Sequence, residues 1–169
     1  MPPKSKISKD EILEKAYEMI KANGYESLTA RNLAKELNCS TQPIYKAFTD
    51  MNDVKKEIIM MAFKVMMQYI ENNQNDQLPS IVSNILGYIQ FADNERNLFQ
   101  LMYSGGFFAK EDIQKLHMPD NDLYMNMIIY AHGIVMMKAC NTFSFSWEQT
   151  KQLVIDTYYT FEKGGGNHN

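Results

Sequence analysis

Several things are scarce in this chain, and each scarcity removes a class of function. There are two cysteines, Cys39 and Cys140, far apart and without ligand spacing. That excludes a disulfide framework and suits reduced thiols in a cytoplasm. No apolar run approaches the roughly 20 residues that cross a bilayer. The opening residues Met1-Pro2-Pro3-Lys4-Ser5-Lys6 carry charge but no apolar segment, so they do not read as a secretory signal. The three histidines, His117, His132 and His168, show no Cys/His metal spacing. A Gly-rich phosphate loop, a nucleophile–base–acid arrangement and a paired-carboxylate motif are all missing. The expectation is a cytoplasmic protein that is not an enzyme, needs no metal or cofactor and has no membrane partner.

Charge of one sign is also scarce overall, at a formal −3 over 169 residues. The average hides an asymmetry. Residues 1–56 hold ten Lys/Arg and eight Asp/Glu, for +2, and residues 57–169 hold seven and twelve, for −5. The basic excess is small, but it lies where phosphate contact would need it.

What is present is helical periodicity. Ser8 reads as the N-cap of a helix to Asn23, with Ile12, Ala16 and Ile20 on one apolar stripe beside Leu13. Gly24 supplies a left-handed stop, and Tyr25 is placed to fold back on the helix end. Thr29 caps a helix from Ala30 to Leu37, and Asn38 takes a left-handed turn. Ser40 then caps a helix from Thr41 to Phe48, with Pro43 in its first turn. Asp50 starts a long helix to about Asn72, followed by a polar connector. Leu78-Pro79 opens a helix to about Ala92, and Asp93 caps the next. Ala109 to Leu116 reads as a short helix between breaks at Ser104-Gly105-Gly106 and His117-Met118-Pro119. Asp120 to about Asn141 is apolar on nearly every side, so it must be covered on nearly every side. Ser146-Trp147-Glu148-Gln149 is a capping box for the last helix, which ends near Glu162. No segment has strand period. The expected fold is all-α with about nine helices: a three-helix helix-turn-helix domain over 1–50, a helical domain over 51–163, and a disordered tail over 164–169.

The order in residues 9–56 is specific. Gly24-Tyr25-Glu26-Ser27-Leu28-Thr29, then Leu33-Ala34-Lys35-Glu36-Leu37, then Ser40, then Ile44-Tyr45-Lys46-Ala47-Phe48 resembles the DNA-binding domain of the TetR family of bacterial transcriptional regulators. Ala131-His132-Gly133 is a weaker resemblance, to a His-Gly pair in many of the family's sensor domains. The resemblance implies a homodimer whose recognition helices reach successive major grooves of a double-stranded operator. It also implies a C-terminal domain that binds a small molecule and dimerises through its last two helices. Geometry asks for the same dimer, because half-sites one turn apart need recognition helices roughly 34–36 Å apart.

On the recognition helix, Thr41, Gln42 and Lys46 point away from Ile44 and Phe48 and are candidates for base or phosphate contact. Tyr45 resembles the family's phosphate-binding tyrosine, with simple packing as the alternative. Thr29 and Ser40 offer helix-end N–H groups toward phosphates, and Arg31 and Lys55 are further contacts. Two departures from the family weaken the grip: Met51 stands where many members have lysine, and Ala47 where a polar aromatic or histidine often precedes the Phe. Lys46, Lys55 and Lys56 can compensate. Lys4, Lys6 and Lys9 read as a frayed basic tail, with a minor-groove arm as the alternative.

Thirteen methionines, and sixteen of the twenty aromatics beyond residue 56, suit both a core and an adaptable pocket. The candidate lining for a small apolar or amphipathic effector is Phe63, Met67, Tyr88, Phe91, Phe99, Met102, Tyr103, Tyr124, Met127 and Ile128. Ile134, Val135, Trp147, Val154 and Tyr158 are candidates for the dimer interface. His132 reads as a helix-packing histidine, and Cys39 and Cys140 as buried thiols rather than redox switches. The function expected is a ligand-responsive dimeric regulator acting as a repressor. The alternative is a DNA-binding adaptor or co-activator controlled by a protein partner.

Overall fold

Ser8 opens the first helix with a reciprocal cap: its hydroxyl accepts the Glu11 N–H, and the Glu11 carboxylate accepts the Ser8 N–H at 2.7 Å. In the computed structural model, residues 7–104, 122–142 and 144–164 are described. Among them are eight α-helices and one short 3-10 turn, and no strand. In chain order they are α1 (Lys9–Asn23), the turn Tyr25–Ser27, α2 (Ala30–Glu36), α3 (Gln42–Ala47), α4 (Met51–Asn72), α5 (Ser80–Asn94), α6 (Arg96–Ser104), α7 (Asp122–Ala139) and α8 (Trp147–Gly164). The expected Ala109–Leu116 helix, Gly105-Gly106, His117-Met118-Pro119 and the tail beyond Gly164 lie outside the described residues, whereas Ser104, expected in a break, ends α6, and Gly164, expected in the tail, ends α8. No described helix is long and apolar enough to cross a membrane.

The chain divides into two compact units. The first holds the described residues of Met1–Lys64 and Glu95–Ala109, and the second those of Val65–Asn94 and Lys110–Asn169. In the first, Ile12, Ala16 and Ile20 of α1 are fully buried with Leu33 and Ile44, which is the core the apolar stripe demands. Leu98 and Leu101 of α6 are buried as well. The N-terminal end of α6 docks on the C-terminal end of α1: Asn97 Nδ2 donates to the Lys21 carbonyl at 2.9 Å, and Lys21 Nζ pairs with Glu95 at 2.9 Å. Asn97 thus gives a carbonyl in the last turn of α1 a donor from outside the helix.

In the second unit, α5 is buried on most sides and packs on both α7 and α8. Gly87 lets α5 approach the backbone of α4 near Tyr69 and Ile70. Two polar links join α5 to α7. Tyr88 Oη lies 2.8 Å from His132 Nδ1, and the Lys138 ammonium pairs closely with the Asp93 carboxylate. The Ser146–Gln149 capping box starts α8 as the sequence implies.

Three local expectations are corrected. Ser40 does not cap α3: Thr41 takes the N-cap position without a side-chain bond, because Pro43 in the first turn starts the helix one residue later. Asp93 is not a cap either. It remains inside α5, which runs on to Asn94, and α6 starts after Glu95. Gly24 has the positive φ expected (79°), but its ψ of 165° is extended rather than left-handed helical.

Candidate nucleic-acid interface

The site is built from the turn outward. Thr29 accepts the Asn32 N–H at 3.1 Å and so fixes the start of α2. Asn38 takes φ 50°, which reverses the chain after α2, and the Cys39 N–H returns to the Ala34 carbonyl. α3 follows at once. Ile44 is fully buried and Phe48 is 6% exposed, so these two hold the helix from inside. The periodicity then sends Thr41, Gln42, Tyr45 and Lys46 to solvent, and all four are exposed. Tyr45 stands out, since 53% of a large aromatic residue is left in water. An amphipathic ring with a hydroxyl at its tip is able to pack or to hydrogen-bond at such a surface.

Around this face, Thr29, Arg31 and Ser40 are also exposed. Lys55 is half-buried, with its ammonium 5.9 Å from the centre of the Tyr25 ring. The N-terminal end of α4 is closed by carboxylates. Asp50 Oδ1 accepts the N–H groups of Asn52 at 2.7 Å and Asp53 at 3.0 Å, and Asp53 Oδ2 accepts that of Thr49 at 3.1 Å. Hydrogen bonding from Thr49, chiefly its hydroxyl, holds the Asp53 carboxyl below its ordinary range. This helix end therefore carries negative charge where many TetR-like domains carry a lysine, and Met51 beside it is half-buried.

Residues 12–58 match the family model described as "Bacterial regulatory proteins, tetR family". The N-terminal domain is a tetR-family domain. A domain of this family is the DNA-binding part of a transcriptional regulator. The match covers under a third of the chain. Beyond it, a solved structure, "Structure of a protein with unknown function from Rhodococcus sp. RHA1", is similar over 95% of this chain and 98% of that one, with a TM-score of 0.71 and 17% identity. At that identity the likeness speaks for the fold alone. No curated protein matches the chain.

The remaining candidate residues scatter. Of the expected effector lining, Phe63, Phe99, Met102 and Tyr103 belong to the first unit; Met67, Tyr88, Phe91, Tyr124, Met127 and Ile128 belong to the second. Tyr88, Phe91, Phe99, Met102 and Met127 are buried, while Met67 and Tyr103 are exposed. Phe63, Tyr124 and Ile128 are half-buried, and burial pushes the Tyr124 phenol up. One surface hollow is lined by Lys9, Phe48, Asp53, Lys56, Glu57 and Met60 among others, and a second by Asn75, Leu78, Glu148, Lys151 and their neighbours. Neither contains a residue of that lining.

Of the expected dimer contacts, Ile134, Val135, Val154 and Tyr158 are buried within the protomer and Trp147 is half-buried. The exposed apolar residues of these two helices are others: Met125, Ile129, Met136 and Met137 on α7, and Tyr159 on α8. Sequence reasoning missed them, although the uninterrupted apolar character of α7 was the available signal. Cys39 is half-buried and Cys140 exposed, so neither is the buried thiol expected. Lys4 and Lys6 lie outside the described residues, whereas Lys9 is the first residue of α1. Among the described residues no cluster of His, Cys, Asp and Glu could hold a metal ion.

Proposed function

We propose that this protein is a homodimeric repressor that binds a palindromic operator through α3 and is released by a small apolar or amphipathic effector. Residues 1–50 serve as the DNA-binding domain, 51–163 as the effector-binding and dimerisation domain, and 164–169 as a tail. The observation that carries the reading is the division of α3 into an inner face, Ile44 with Phe48, and an outer face of Thr41, Gln42, Tyr45 and Lys46. The outer residues are able to read base edges or bind phosphate, and Thr29, Arg31, Ser40 and Lys55 flank them as phosphate contacts.

The dimer reading rests on α7. Residues 123–137 contain no Asp, Glu, Lys or Arg, yet Met125, Ile129, Met136 and Met137 face solvent. Gly133 sits among them, exposed, with nothing among the described residues within 4 Å of where a Cβ would stand. A glycine inside a helix costs about 1 kcal/mol relative to alanine. Among the described residues no contact requires it here. Close approach of a second copy does, with Ile134, Val135, Val154 and Tyr158 backing the seam and Trp147 at its edge.

The effector reading is supported by the Met- and aromatic-rich second unit, where Tyr88, Phe91 and Met127 are buried. The Tyr88–His132 pair offers the polar atoms such a ligand needs. A difference in effector affinity between DNA-competent and released states drives the switch. The exposed α7 face also favours a second reading, an adaptor docked by a protein partner. Selection of duplexes from a random pool with the purified protein tests the reading. Enrichment of a two-fold symmetric site with half-sites about 10 base pairs apart is the expected outcome. Failure to enrich any duplex, or binding of an asymmetric site by a monomer, contradicts it.

A further inference from the structure

We infer that Lys9 is a positioning residue for the recognition helix, its ammonium tying the start of α1 to the end of α3 and to α4 through Phe48 and Glu57. α3 has only six residues, and an isolated helix that short does not persist in water. Its orientation must come from tertiary contacts. Thr41 gives it no side-chain cap, so Ile44 and Phe48 are its main anchors. Phe48 is also the C-cap, the last point held before the chain turns into α4.

Lys9 meets that point from outside. Its Nζ lies 5.1 Å from the centre of the Phe48 ring and 2.7 Å from Glu57 Oε1. The three groups come from α1, from the C-cap of α3 and from α4. Local helix electrostatics do not account for the lysine, because a cation in the first turn opposes the helix dipole; Asp10 and Glu11 beside it have the favourable sign. The contacts across helices do account for it. They also argue against Lys9 as an arm for the minor groove, since its charge is already matched by Glu57. An exposed ion pair alone is weak, and the ring contact adds to it. The expected effect is therefore modest and shared between the partners.

The inference rests on α3 being the DNA-contacting helix, so its test has two arms. The first uses the duplex enriched by the unaltered protein from a random pool. Lys9→Met and Glu57→Gln are each expected to weaken binding by about three- to tenfold. The slope of log affinity against log salt should stay unchanged, the double variant should be little worse than either single one, and Lys9→Arg should retain binding. The second arm is hydrogen exchange in the free protein, where the α3 amides are expected to exchange faster in Lys9→Met and Glu57→Gln. If no duplex is enriched, the DNA reading fails, and exchange alone decides the clamp. Unchanged exchange overturns it. So does unchanged affinity in both variants, or a salt slope flattened by about one in Lys9→Met with tighter binding in Glu57→Gln, the signature of a direct phosphate contact.

Discussion

Gly87 faces the backbone of Ile70 so closely that a Cβ on the glycine would stand 2.5 Å from the Ile70 Cα. The Tyr69 carbonyl oxygen would be 2.8 Å away. These are backbone atoms of α4, which cannot swing aside as a side chain would. Gly87→Ala is therefore expected to lower the unfolding free energy by about 1–3 kcal/mol, as overpacking does. Urea denaturation at fixed protein concentration checks it, and an unchanged midpoint would mean that α4 and α5 are not held this close.

A charge on the α7 face should separate the protomers without unfolding them. Ile129 is 63% exposed in the single chain, so Ile129→Asp loses little within the protomer. Gly133→Leu fills the space proposed for a second backbone. Analytical ultracentrifugation is expected to show the unaltered protein as a dimer and both variants shifted to monomer at micromolar concentration, with helical content retained. Persistent dimers in both would place the interface elsewhere.

The acid-closed start of α4 predicts a weak electrostatic grip. Met51→Lys adds a cation beside Asp50 and Asp53, where many related domains have one. Binding to the selected duplex is expected to tighten several-fold at low salt, with the salt slope steepened by about 0.9 for one added phosphate contact. Measuring affinity at several salt concentrations checks this. An unaltered slope would show that this helix end does not meet DNA.

Two caps give the first unit a pH dependence of known sign. The Glu11 carboxyl is held below its ordinary range by hydrogen bonds from the Ser8 backbone and hydroxyl, and Asp53 by those from Thr49. Each contributes stability that is present above the unfolded carboxylate value near 4 and is lost as pH falls through the lower folded value. Thermal midpoints are thus expected to drop below about pH 4. Ser8→Ala should lose its Glu11 share of that drop, and a pH profile identical to that of the unaltered protein would rule out the Ser8–Glu11 cap as a source.

What could be read from the sequence was local. The α1 stripe, the Thr29 cap, the Asn38 reversal and the α3 face all follow from residues within one or two turns of each other. The approach of α5 to α4 at Gly87 could not be read, because a glycine in a helix says nothing about what it faces. Asp93 looked like a cap because its neighbours fit one; its partner Lys138 lies 45 residues on. The docking of Asn97 on Lys21 spans 76 residues and leaves no periodic trace. An effector lining is not legible at this level, since the methionines and aromatics that would form a pocket are the residue types that form a core.

The central claim is that the outer face of α3 reads DNA, and one measurement tests it most directly. Affinity for the selected duplex is compared between the unaltered protein and the Gln42→Ala, Tyr45→Phe double variant, which keeps Ile44 and Phe48 in place. The variant is expected to bind at least tenfold more weakly, about the loss of one good base contact with one phosphate bond. Equal affinity in the two proteins would contradict the account.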